Sequence, residues 1–299
     1  MEPTGCWPTA ARRCRAVNLL LAQRLPLAGS LDAFARDRQR LPVATSAGEA
    51  ELPDDVDGDV VTPKEPRQPR IDEDGARYIN QTIPLALRRR LVDNDGLAEP
   101  LRRELAITGW VRAVVAGNET EARAYAELAG ARAPELRDAL AAYLAAAPVD
   151  RRFTAVYTLL RSPGLEPYAD WGIGRTTPLS DIDDFRDNWW CRISSAGAEQ
   201  RDMLALAFLS GDERRMAQQQ WLALQAVPTG PNYLAAETIA WAQARPTDPR
   251  VPEALHLAVR ATRYGCTDDE TSQWSNKAFQ LLHRRYPKSE WAAKTKYHY

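Results

Sequence analysis

The stretch "PLRRELAITGWVRAVVAGNETEARAYAELAGA", residues 100–131, reads as two helices with a stop between them. Leu101, Leu105, Trp110 and Val114 recur at helical spacing and fall near one face, which predicts an amphipathic first helix. Gly117 and Asn118 end it, because glycine tolerates the left-handed backbone that closes a helix. Asn118 with Glu121 has the spacing of a capping box, so the second helix starts at once.

The same rhythm runs outward from this pair. Segments 134–148 and 149–163, then 198–211 and 212–227, then 232–246, 249–265 and 268–287 each carry apolar residues at intervals of three and four, with short connections. No stretch alternates with period two over strand length. The predicted class is therefore all-α: antiparallel helix pairs stacked as an α-solenoid, or an irregular helical array, preceded by an extended arm. The expected organisation is an N-terminal helical segment over 1–43, a Pro- and acid-rich linker over 44–76, and a helical repeat domain over 77–299. The linker carries Pro53, Pro63, Pro66 and Pro69 among acids and too little apolar surface to offset its ordering entropy.

Composition narrows the partners. Lys and Arg total 39 against 40 Asp and Glu, a net charge of −1, so no global field recruits nucleic acid. The runs "RRR" at 88–90 and "LRREL" at 101–105 are expected on solvated helix faces. No apolar run approaches the roughly twenty residues that cross a bilayer. Residues 11–30 have a basic flank and a short apolar centre, the outline of a secretion signal, but Asn18, Gln23 and Arg24 interrupt it.

Toward the C-terminus, "SNKAFQLLHRRYPKSEWAAKT", residues 275–295, resembles the second helix and following turn of a tetratricopeptide repeat of the bacterial envelope type. The residues that carry the likeness are Phe279, Tyr286, Pro287, Ser289, Trp291 and Ala292, about twenty residues of chain in all. The resemblance implies a TPR-like fold, a role as a binding scaffold for a protein or peptide, and a periplasmic or secreted location.

The chemistry-bearing residues gather in one irregular segment, 163–197, which includes "DIDDFRDNWWC" at 181–191. As a calcium loop it fails, because Phe185 and Arg186 fall on a ligand position and on the turn glycine, and Arg192 replaces the final glutamate. Tyr168, Trp171, Trp189 and Trp190 are the candidate residues for stacking on a partner or a glycan, since flat aromatic faces suit both. The stretch 181–191 is expected to act as an architectural clasp, with Trp189 and Trp190 entering a groove between helices and Cys191 approaching Cys266. Cys191 and Cys266 sit in the two unusual connections, and a bridge between them would close a loop of 75 residues.

Glu166, Asp181 and Asp184 are the acids of a glycosidase alternative. "EALH" at 253–256 has the spacing of half a di-iron site without a second half. No phosphate loop, nucleotide fingerprint or nucleophile elbow is present, so no cofactor and no metal site is assigned. The expected function is a non-enzymatic scaffold for a protein or peptide partner; the alternative is a helical glycan-acting or glycan-binding protein of the cell envelope.

Overall fold

The computed structural model describes residues 31–40, 69–71, 73–169, 172–173, 189–192, 206, 208–263 and 266–299. The class is all-α. In chain order the helices are α1 (Leu31–Arg38), α2 (Glu73–Gln81), α3 (Leu85–Val92), α4 (Glu99–Val115), α5 (Glu119–Arg132), α6 (Arg137–Ala145), α7 (Pro148–Leu160), α8 (Gly211–Gln225), α9 (Gly230–Ala244), α10 (Val251–Ala261), α11 (Thr271–Arg285) and α12 (Glu290–Lys294), with a 3₁₀ turn at Pro134–Leu136. Among the described residues no helix is long and apolar enough to cross a membrane.

Three strands of two residues each form a small antiparallel sheet in the order β1 (Gln39–Arg40), β2 (Arg70–Ile71) and β3 (Gly172–Ile173). Gln39 pairs with Ile71, and Ile71 with Gly172. Strands this short carry no period-two signal, which is why the sequence does not announce them. Strand β2 and the start of α2 fall inside the segment expected as linker, so regular structure begins before residue 77. Residues 44–68 and most of the helix expected over 198–211 lie outside the described residues.

The pair quoted above forms as α4 and α5, and its ending explains itself. Gly117 takes φ +69°. The Asn118 N–H donates to the Ala113 carbonyl at 2.8 Å and the Gly117 N–H to that of Val114 at 3.0 Å, the paired bonds of a Schellman ending. Asn118 Oδ1 accepts from the Glu121 N–H at 3.2 Å, which caps α5. The Glu121 carboxylate pairs with Arg89 at 3.0 Å.

Helix α4 is not amphipathic as expected. Ala106, Ile107, Thr108, Gly109, Val111 and Arg112 are buried along with Leu101, Leu105 and Trp110, so solvent sees little of it. A helix covered on nearly all sides sits at the centre of its cluster. Helices α3 and α5 flank it.

Gly109 sets the α4–α5 spacing. A Cβ there would run into the Tyr125 ring, with Cζ only 2.6 Å away. The ring takes the place of a side chain on α4, and its hydroxyl donates to the Leu85 carbonyl at 2.8 Å, joining α3 to the pair.

From α3 onward most helices pack on the next one or two in sequence: α4 on α5, α5 on α6, α6 on α7, then α7 on α9 and α10, and so to α12. Helix α8 departs from this succession and returns to α2. Gln220 of α8 accepts from the Leu85 N–H at 2.8 Å, which satisfies a donor at the start of α3. At the C-terminus Tyr286 caps α11, and Ser289 caps α12 by accepting from the Ala292 N–H at 3.1 Å. Residues 286–289 thus make a tight turn between two helices.

Candidate functional site

Helices α4 to α7 leave a cleft of about 330 Å³ beside the α4–α5 turn. Ala113 and Val114 from the end of α4, Gly117 from the turn, and Glu119 and Ala122 from the start of α5 form one wall. Tyr143 of α6 and Pro148, Val149, Arg151, Arg152 and Ala155 of α7 form the rest.

The local causes are visible. Gly117 has no side chain to fill the space, and no atom lies within 4 Å of where its Cβ would stand. Pro148 opens α7, a position where its missing N–H costs nothing and its fixed φ suits the helix. The Tyr143 ring meets Trp110 edge to face, centroids 5.8 Å apart, and so is held in place from α4. Burial pushes the Tyr143 hydroxyl pKa up, against the pull of nearby Arg151, so it remains a neutral phenol at physiological pH.

The charged residues of the cleft are paired. Arg151 bonds Glu119 across α7 and α5, and its Nη2 donates to the Ala146 carbonyl at 3.0 Å. Arg152 bonds Glu237 of α9. Burial works against the Arg152 charge, but the hydrogen bond and charge of Glu237 outweigh it and hold its pKa above the ordinary value. Val149 is 62% exposed, one of the few large apolar side chains presented to solvent among the described residues. The cleft therefore combines the buried alanines Ala113, Ala122 and Ala155 with the paired charges of Glu119, Arg151 and Arg152 and the exposed Val149.

Those of the expected site residues that are described lie elsewhere. Tyr168 is half-buried against the core. Trp171, Asp181 and Asp184 lie outside the described residues. Trp189 and Trp190 are 3% and 2% exposed, so the chain's own residues cover them and a partner would have to displace that packing.

Their seat is the start of α9. Trp190 Nε1 donates to the Pro228 carbonyl at 3.0 Å, and the Gly230 N–H donates to the Trp190 carbonyl at 2.8 Å. Gly230 is required there: a Cβ would overlap that of Trp189 and come within 3.1 Å of the Trp190 nitrogen. The next residue, Cys191, is disulfide-bonded to Cys266, their Cα atoms 4.7 Å apart. At the other end of this long connection Asn80 grips Ala169 through two hydrogen bonds of 2.7 and 2.9 Å. The connection is thus tied to α2 at one end and to α9 and the α10–α11 turn at the other.

Glu253 and His256 do not act together. Glu253 accepts from the Tyr157 hydroxyl at 2.6 Å, while His256 Nδ1 lies 2.7 Å from Thr295 Oγ1. Among the described residues no group of three or more His, Cys, Asp or Glu side chains could hold a metal ion.

Two features escaped the sequence. The cleft is lined by alanines, which carry no chemical signal. Arg88, expected on a solvated face, is fully buried, because α3 turns it under α4 rather than toward water. Compared with known proteins, the chain matches no family model, no curated protein and no solved structure.

Proposed function

We propose that this chain is a non-enzymatic helical-repeat scaffold whose α4–α7 cleft holds a segment of a protein or peptide partner. The observation that carries this role is the cleft itself: about 330 Å³, lined by buried alanines beside paired charges and opened by Gly117. Grooves of this build between helix pairs suit an extended or helical segment that inserts one small apolar anchor. Support for a repeat array comes from the succession of helices that each pack on the next one or two. The tetratricopeptide resemblance over 275–295 is a further support, since α11 ends at Tyr286 and Ser289 opens the next helix within that stretch.

The test uses Val149, whose exposure allows substitution without disturbing the core. Immobilised wild-type chain and the Val149→Asp variant are compared by quantitative proteomics of captured proteins. A partner retained by the wild type and depleted at least tenfold with Val149→Asp supports the role. Equal capture by both, or no specific capture, contradicts it.

A further inference from the structure

Arg88 and Arg112 lie inside the α2–α5 cluster, 0% and 2% exposed. Thr108 and Arg112 stand one turn apart on the same face of α4, which brings Arg112 beside the guanidinium that Thr108 receives from α3. Each arginine has one hydrogen bond to a neutral group. Arg88 Nη2 donates to Thr108 Oγ1, and Arg112 Nη1 donates to the Asn80 carbonyl at 2.5 Å. Three further donors, Arg88 Nε and Nη1 and Arg112 Nε, are buried without a partner.

Among the described residues, no carboxylate is in ion-pair contact with either guanidinium. Glu104 acts on Arg88 only through space, and Glu121 is engaged by Arg89 at 3.0 Å. Tyr125, in the same cluster, directs its hydroxyl proton to the Leu85 carbonyl. Burial pushes Tyr125 above its ordinary pKa, so it brings no negative charge at neutral pH.

An arginine keeps its proton at any physiological pH. Two adjacent cations in a low-dielectric interior repel each other and lose their hydration without return. Burial, reinforced by the charge of Arg88, lowers the Arg112 pKa to about 9, the same stress expressed as a titration. Water would satisfy the orphan donors but leave the charge uncancelled; an anion does both.

We propose that Arg88 and Arg112 together bind one small inorganic anion, chloride or a tetrahedral oxyanion such as phosphate. The two guanidiniums are buried among α2, α3, α4 and α5, a setting that keeps the carboxylate of a large partner away from them. The anion completes the cluster on which the α3–α4–α5 packing rests.

The test takes the full chain in a buffer whose only anion is a bulky sulfonate, and adds sodium chloride or, separately, sodium phosphate. Titration calorimetry is expected to give one site per chain for at least one of the two anions. Chlorine-35 NMR is expected to show excess line width that phosphate removes if both share the site. Arg112→Met, which keeps an apolar stem in the space, is expected to weaken binding at least tenfold.

Several results would overturn the site. They are the absence of saturable binding of either anion to the wild type, or unchanged affinity in a folded Arg112→Met. A stabilisation that rises without saturation and equally in both proteins would identify a general salt effect and count against it as well. Should Arg112→Met fail to fold, the wild-type calorimetry and line widths decide the matter alone.

Discussion

Replacing Gly109 by alanine should destabilise the protein, although helix propensity taken alone predicts the opposite. Alanine is favoured over glycine inside a helix by about 1 kcal/mol. At position 109, however, the new methyl would meet the Tyr125 ring well inside van der Waals distance, with Cζ at 2.6 Å. That ring is fully buried and its hydroxyl is tied to Leu85 at 2.8 Å, so it has no free direction in which to move. Overpacking of this kind costs about 1–3 kcal/mol, and loss of the Tyr125 bond adds about 1 kcal/mol. The net expectation is a loss of about 1–3 kcal/mol, or roughly 2–12 °C in melting temperature for a chain of this size.

Gly130 supplies the control within the same helix pair. The nearest atom to a Cβ there is 3.9 Å away, an ordinary contact, so Gly130→Ala should stabilise by about 0.5–1 kcal/mol. Circular dichroism melts and denaturant titrations of the two variants measure both. A Gly109→Ala protein as stable as wild type, or a shift of the same sign in both variants, would refute the packing described for α4 and α5. In a Tyr125→Leu background the cost of Gly109→Ala should shrink, since the atom it strikes is gone.

Trp190→Ala removes a side chain that is 2% exposed and lies against Tyr233 at 5.8 Å between centroids, and should cost about 3–5 kcal/mol by chemical denaturation; a loss under about 1 kcal/mol would contradict its role as an anchor. Reducing Cys191–Cys266 opens a loop of 75 residues and should lower stability by about 4 kcal/mol in the loop-entropy picture; identical melts with and without reductant would show that the bridge constrains nothing. His256 is held down to about pKa 4 from its ordinary 6.5, by burial first and then by the charges of Arg260 and Lys294. The unfolded chain therefore binds a proton between about pH 6.5 and 4 that the folded chain refuses, and stability should fall across that window as pH drops. A His256→Gln variant should lose that part of the slope, and equal slopes in the two proteins would remove His256 as its source.

What the sequence revealed and what it hid divide by the range of the interactions involved. The α4–α5 turn was legible because Gly117 and Asn118 decide it locally, through one backbone conformation and one cap. The helices over 134–163 and 212–287 were legible for the same reason. The RRR run was misread at its first residue: periodicity does not distinguish a guanidinium directed at water from one directed at Thr108 on another helix. The full burial of α4 depends on helices on either side of it, and only the assembled fold supplies them. The cleft was invisible because its lining includes Ala113, Ala122 and Ala155, whose contribution is the space they leave. Tryptophans drew attention to 163–197, yet the two that are described fill the fold, since their size favours burial wherever a groove fits them.

The most direct measurement of the central claim is site-resolved photocrosslinking. A benzophenone amino acid is placed at Val149, in the lining of the cleft, and in a second protein at Leu222, which is 56% exposed on α8. Both are irradiated in native extract and the crosslinked peptides are mapped by mass spectrometry. The scaffold role predicts one recurring partner peptide joined to position 149 and absent from position 222; labelling that is equal at both positions, or absent from 149, would contradict it.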